Sequence, residues 1–294
     1  MAKYIVSERK IFNSIITATV LAIIGGSALY QLEEFEVVKK HQLETPFGKA
    51  EVIECRKDSS SILFLPRHGE THSLLPHEIN YRANVFALKK LGATAIISVS
   101  AVGSLREEIK PGDFVMADQY LDFTKSRVGS FFSSGLTAHV SMAEPVCKQL
   151  SSFIGKQFDS ELHSAKTYVG VEGPRFGTRA ESKMYRQLGG DIIGMTNLPE
   201  AFLALEAQIP YSSLCVVTDY DSWKETEGAN VSSMLEVYHS RIAIVKEFIS
   251  KLASGYKSDV IAESKSRKSL SEAIFCNPDS LSQELRELLA VLSS

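Results

Sequence analysis

Asp219 and Asp221 follow the apolar run Leu214–Val217 and are separated by a single residue. In an extended segment that spacing points both carboxylates to one face. Neighbouring carboxylates raise one another's pKa, so one of them can stay protonated near neutrality. A protonated Asp donates to a ring nitrogen, and its ionised neighbour accepts from an amine. The same pair also describes two acids that cap a turn, and the residues alone leave both readings open. A second group suits an anion. Gly25, Gly26 and Ser27 offer close backbone approach, N–H groups and a hydroxyl. Arg67 supplies a fixed cationic fork for phosphate oxygens, His68 a further donor, and Ser100 and Thr196 hydroxyls. Taken alone, Arg67 equally describes a surface ion pair, and His68 a hydrogen-bonded core histidine. No G-x-x-x-x-G-K-[ST] run is present, so a phosphate cradle here is not a Walker loop.

Other chemistries fit less well. His68 and His72 are four apart and His77 follows, but Gly69 stands where a zinc-binding H-E-x-x-H needs its Glu, and no cysteine is near in sequence. There is no G-x-S-x-G elbow for a serine hydrolase. Cys55, Cys147, Cys215 and Cys276 form no C-x-x-C pair and read as free thiols of a reducing compartment, with Cys215 a small buried hydrophobe.

The polar turns that carry these residues each follow a short apolar run. The runs are Val20–Ile24, Ile62–Leu65, Ala95–Val99, Phe114–Ala117, Tyr168–Val171, Asp191–Ile193 and Leu214–Val217, which read as buried strands. Helical spacing marks Ile79–Leu91, Arg179–Leu188, Pro199–Gln208 and Val231–Leu252. In the last of these Leu235, Tyr238, Ile242, Val245, Ile249 and Leu252 form one apolar stripe. Strands alternating with helices predict an α/β fold with a largely parallel or mixed sheet, whose ligands sit beyond the strand ends. Ala253–Ser271 reads as an exposed linker. Ser280-x-x-Gln283 forms a capping box, and Leu281, Leu285, Leu288 and Leu292 mark a final amphipathic helix.

The chain has 294 residues and a formal charge of −3, so nothing in its overall charge draws it to nucleic acid or anionic membrane. The apolar stretch Ile11–Ile24 follows Lys3, Arg9 and Lys10, as in a signal peptide, but Asn13, Ser14, Thr17 and Thr19 break it. It is also too short for a membrane span. A soluble cytoplasmic protein is expected.

In order and content these motifs resemble the trimeric methylthioadenosine phosphorylase branch of the purine nucleoside phosphorylase superfamily. The specific stretches are Arg67-His68-Gly69 with Asn80-Tyr81-Arg82-Ala83-Asn84, Gly103-Ser104-Leu105-Arg106-Glu107-Glu108, Glu172-Gly173-Pro174-Arg175-Phe176, and Thr218-Asp219-Tyr220-Asp221-Ser222-Trp223-Lys224-Glu225. The resemblance implies a single α/β domain over residues 1–254, with a central mixed sheet flanked by helices. Residues 255–294 then form a linker and a helix that packs on the same or a neighbouring subunit. It implies phosphorolysis of 5′-methylthioadenosine to adenine and 5-methylthioribose 1-phosphate, with inorganic phosphate as co-substrate and no metal or organic cofactor. By the same resemblance, phosphate falls on Ser27, Arg67, His68, Ser100, Ala101 (through its backbone) and Thr196. Met195 packs on the ribose and binds its hydroxyls through its backbone, and Phe176 packs on the purine. Asp219 faces N7 and Asp221 the 6-amino group. His139 reaches a neighbouring subunit's 5′ pocket within a homotrimer.

The sequence departs from that pattern in places. Ala28 stands where the family often has Gly, and Gly177 where this branch usually carries a small hydroxyl residue. Asn230–Leu235 reads Asn-Val-Ser-Ser-Met-Leu over the family's apolar 5′ pocket, which leaves the polarity of that pocket open. The alternatives are a phosphorylase for other nucleosides (adenosine, methylthioinosine, inosine or guanosine) and a nucleoside-binding protein without catalysis. Gly177 and Asp219 oppose a 6-oxopurine enzyme, which by the resemblance has Glu and Asn at those places.

Overall fold

The computed structural model describes residues 20–26, 29, 32–224 and 230–294. Ser27, Ala28 and the N-terminal stretch through residue 19 lie outside them, as do residues 225–229.

Among the described residues the strands are β1 (Leu21–Gly25), β2 (Glu36–Thr45), β3 (Gly48–Lys57), β4 (Ser60–Pro66), β5 (Ala95–Ser104), β6 (Phe114–Phe123), β7 (Leu162–Val171), β8 (Ile192–Gly194) and β9 (Tyr211–Asp219). The α-helices are α1 (Tyr81–Lys90), α2 (Lys148–Gln157), α3 (Arg179–Gln187), α4 (Glu200–Glu206), α5 (Val231–Gly255) and α6 (Gln283–Ser293). The strands form one mixed sheet in the order β2-β3-β4-β1-β5-β8-β7-β6-β9, and β9 also pairs with β5, which closes the second half into a small barrel. β1 is parallel to both β4 and β5, and β5 is parallel to β9. The expected α/β class with a mixed sheet is what the chain adopts.

The continuous apolar runs follow from burial on both faces. Along β1, Ala22 and Ile24 face a cluster that includes Phe86 of α1, Leu203 of α4 and Leu292 of α6. Leu21 and Ile23 face the opposite cluster, with Leu150 and Ile154 of α2 and Phe248, Ile249 and Leu252 of α5. β9 is buried along its whole length.

Four parts of the chain differ from the expectation. The β2–β3 hairpin carries no apolar run, because β2 is an exposed edge strand whose EVVKKHQLET sequence meets solvent nearly everywhere. Helix α2 buries only Leu150 and Ile154, too few to mark a stripe. Ala253–Ser271 is not an exposed linker. Beyond the end of α5 it runs through the 3₁₀ turns Ser258–Ile261 and Lys265–Lys268, with Ile261, Ser264, Ser266 and Leu270 buried. Isolated anchors and serine hydrogen bonds dock it, such as Ser269 Oγ to Leu205 O at 2.6 Å, and neither leaves a periodic signal. The cap of α6 is Ser282, whose hydroxyl accepts from Leu285 N, rather than Ser280. That helix buries Leu288 and Leu292 in the α1 and α4 cluster of its own chain, where Lys89 Nζ donates to Ser294 O.

Candidate active site

The polar strand ends converge on one cavity of about 500 Å³, in the range that holds a small-molecule ligand. At one end stand Arg67 and His68, which follow β4, with Ser100 and Ala101 of β5 and Thr196 after β8. Asp219 closes β9, with Asp221 just beyond, and Phe176 and Gly177 lie beside them in the lining. Met195, next to Thr196 in sequence, lines the same cavity. A further wall is the first part of α5, with Val231, Met234, Leu235 and Tyr238. His139 does not line this cavity. It is exposed, its N–H donates to Ala273 O, and its ring stands edge-on to Phe275 at 5.1 Å.

The acid pair is built differently from its sequence reading. β9 stops at Asp219, so Asp221 does not extend the strand. Asp221 has φ 49°, in the left-handed region, and its N–H folds back to Asp219 Oδ1 at 2.7 Å. The turn, not strand alternation, brings the carboxylates together. Asp219 Oδ2 accepts from Thr218 Oγ1 at 2.8 Å. Asp221 Oδ2 is buried with no hydrogen-bond partner. Both pKa values are raised, and the main cause is burial rather than mutual repulsion. Repulsion from Asp221 adds a smaller push on Asp219. Ser182 faces Asp221 and favours its charge, although Ser182 Oγ and Asp221 Oδ2 do not meet in hydrogen-bond geometry. The turn needs Gly103, because a Cβ there would lie 3.0 Å from Asp219 Oδ1 and 3.1 Å from Ile193. At Gly177 a Cβ would lie 3.8 Å from Asp221 Oδ2, an ordinary contact, so the missing side chain leaves room beside that oxygen.

At the other end Arg67 is buried and already paired. Its Nε donates to Glu200 Oε2 at 2.8 Å and Nη2 to Glu200 Oε1 at 3.1 Å, while Tyr211 Oη also donates to Glu200. Further bonds run from Nη2 to Ser98 Oγ and from Nη1 to Val99 O. Burial works against the guanidinium charge, Glu200 outweighs it, and Arg67 stays protonated. Five donors and these bonds leave one Nη1 hydrogen for a ligand. Thr196 Oγ1 is buried without a partner at the cavity wall. Ser100 Oγ donates to Asn197 Oδ1.

Glu200 went unnoticed in the sequence. Its one signal was a carboxylate at the head of a helix that is apolar up to the second carboxylate, Glu206, at its end. Arg127 was missed as well. Its Nη1 donates to Met195 O at 2.7 Å and to Leu198 O, and its Nη2 to Glu172 O at 2.7 Å. It thereby fixes the loops that carry Met195 and Phe176, and no local motif announces that role. The apolar stripe of α5 serves two purposes: Val245, Ile249 and Leu252 are buried in the core, whereas Leu235 and Tyr238 line the cavity. Leu235 is 51% exposed and faces the cavity.

The profile of the phosphorylase superfamily matches residues 20–251. The chain belongs to the phosphorylase superfamily. Among relatives of this phosphorylase, the S-methyl-5′-thioadenosine phosphorylase of Geobacter sulfurreducens is 46% identical over 237 residues, 78% of this chain and 83% of the relative. That of Nitrosopumilus maritimus is 44% identical over 260 residues, 87% of this chain and 98% of the relative. Among solved structures, a methylthioadenosine phosphorylase from an antarctic soil metagenomic library superposes with a TM-score of 0.83 at 40% identity, over 94% of this chain and 99% of that one. The Schistosoma mansoni methylthioadenosine phosphorylase in complex with adenine gives 0.81 at 33% identity, over 87% of this chain and 99% of its own. Among the described residues no helix is long and apolar enough to cross a membrane.

Proposed function

We propose that this phosphorylase cleaves 5′-methylthioadenosine with inorganic phosphate, giving adenine and 5-methylthioribose 1-phosphate. The observation that carries the reading is the cavity itself, with a buried Asp pair of raised pKa at one end and Arg67, His68 and Thr196 at the other. The purine lies against Phe176, with N7 at Asp219 and the 6-amino group donating to the unpartnered Asp221 Oδ2. Phosphate takes the remaining Arg67 hydrogen, the Thr196 hydroxyl, His68, Ser100 and the Ala101 backbone, and the family resemblance adds Ser27, which lies outside the described residues. The ribose sits against Met195. As the bond from C1′ to N9 breaks, the electron pair passes into the purine and Asp219 shares a proton with N7, so the base leaves neutral. The phosphate dianion stabilises the cationic sugar and then bonds to C1′. Holding both reactants in one cavity supplies the proximity contribution.

The 5′ substituent falls to Val231, Met234 and Leu235, whose side chains are apolar despite the serines between them. That favours a methylthio group over a hydroxyl. We further propose a homotrimer in which His139, absent from its own cavity, completes the 5′ pocket of a neighbour. Exposed Phe275, 73% accessible beside His139, fits such an interface.

The test is a product assay with methylthioadenosine, adenosine and inosine, with and without phosphate. Turnover of methylthioadenosine that requires phosphate is expected. Turnover without phosphate points instead to a nucleosidase, no turnover to a binding protein, and equal rates on inosine to a different base specificity.

A further inference from the structure

His68 stands beside Arg67 in the cavity wall, and its Nδ1 lies 2.8 Å from the carbonyl oxygen of Leu74. A carbonyl oxygen only accepts, so Nδ1 carries the hydrogen. Leu74 is not part of the cavity wall, which leaves Nε2 as the ring nitrogen open to a ligand held there. A neutral imidazole has one N–H, and here it is spent on Leu74. Nε2 therefore offers a lone pair.

The surroundings keep the ring neutral. Burial is the main influence and lowers the pKa, the hydrogen bond to Leu74 O opposes it, the neighbouring Arg67 and His72, with its ring 4.4 Å away, act with burial, and Glu200 of α4 acts against it. Together they hold the His68 pKa at about 4. Two other polar groups at this end are of the opposite kind, while Ser100 Oγ gives its hydrogen to Asn197 Oδ1. Arg67 Nη1 has a hydrogen to give, and Thr196 Oγ1 is buried with its hydroxyl uncommitted. A tetrahedral oxyanion can satisfy those donors with bare oxygens. The oxygen that meets Nε2 cannot be bare, because two lone pairs then face each other.

We propose that the anion site holds one bridging proton between His68 Nε2 and the bound oxyanion, so that it accepts monohydrogen phosphate as it stands and a proton-free oxyanion only together with a proton from solvent. The proposal rests on the reading of this end as the phosphate site. It assigns an orientation as well. The P–OH points to His68, which leaves the unprotonated oxygens to Arg67, Thr196 and the sugar. No bond changes in this step, and the proton stays between the oxygen and Nε2.

Sulfate is the probe, since above neutrality it is a dianion of similar shape without a proton. Its inhibition constant against phosphate, in methylthioadenosine phosphorolysis, is measured from about pH 7.5 to about pH 9. One proton taken up on binding weakens sulfate about tenfold per pH unit, while the KM for phosphate moves little. In His68→Gln the side-chain amide can donate to either anion, so the sulfate slope disappears. Parallel pH dependence for the two anions in the unsubstituted protein overturns the proposal, and so does a slope that survives in His68→Gln. Sulfate that fails to inhibit even at the acid end overturns it too. Should His68→Gln fail to fold, the two slopes in the unsubstituted protein still decide the matter. Turnover that needs no phosphate would instead overturn the phosphate reading beneath it.

Discussion

Two parts of the cavity, the Arg67 end and the α5 wall, are constructed on different principles. The Arg67 end is a buried polar framework. Strand ends from β4 and β5 and the segment after β8 bring its residues together, and Glu200, Ser98, Val99 and Asn197 hold them by hydrogen bonds. The α5 wall is an apolar helix face that is largely open, with Val231 58% and Leu235 51% exposed. His139 and Phe275 are likewise exposed on the surface of the same chain. Groups that handle charge are thus fixed before any ligand arrives, because an unpaired buried charge costs several kcal/mol. Groups that sort the 5′ substituent rely on apolar contact, which a ligand or a neighbouring subunit can complete later.

The sharpest way to break this contrast is at the acids. Asp219→Asn removes the proton that the base needs, and we expect kcat/KM for methylthioadenosine to fall by about 10²–10⁴. The 6-oxo analogue methylthioinosine should lose much less. Unchanged selectivity between the two substrates would remove Asp219 from the proposed role.

Arg67 comes next, and its ion pair complicates the usual substitution. Arg67→Ala strands Glu200 without its partner in the core, and loss of about 3–5 kcal/mol of stability is expected. Pairing it with Glu200→Gln should recover much of the melting temperature while the KM for phosphate stays raised. Recovery of both together would mean that Arg67 serves the fold alone.

Glu206 tests the segment that leads toward His139. It accepts from Phe131 N at 2.8 Å and from Ser130 Oγ at 2.9 Å, and burial raises its pKa to about 7. An acid whose pKa is raised on folding binds more protons folded than unfolded between its ordinary value near 4.5 and about 7. Stability from this group is therefore greatest below that window and falls as pH rises through it. Glu206→Gln should melt a few degrees higher than the unsubstituted protein at about pH 8 and show little difference at about pH 4.5. Equal melting temperatures at the higher pH would contradict the assignment.

The smallest effect belongs to His139. In the trimer we propose, His139→Ala raises the KM for methylthioadenosine a few-fold, about the worth of one exposed contact, and leaves the KM for phosphate alone. Sedimentation of a fully active monomer would refute the shared pocket without touching the phosphorylase reading.

Much of this protein is legible in its residues. Runs such as Leu21–Ile24 and Leu214–Val217 are buried on both faces, and there the burial shows as unbroken apolar sequence. The turns after them were therefore identifiable as ligand positions, and nearly every described candidate lies in one cavity. What the sequence could not decide concerns pairs far apart in the chain. Arg67 looked equally like a surface ion pair or a ligand fork. It is a buried ion pair with Glu200, and only the tertiary fold brings the head of α4 to the turn after β4. The Asp pair depended on a left-handed turn at Asp221, which no side-chain pattern encodes because it is imposed by the Asp219 carboxylate and by the room at Gly103. Local periodicity records which faces are buried, and so the strands and helices were written in the sequence. Which polar group meets which is set by long-range contacts, and those exist only once the sheet has formed.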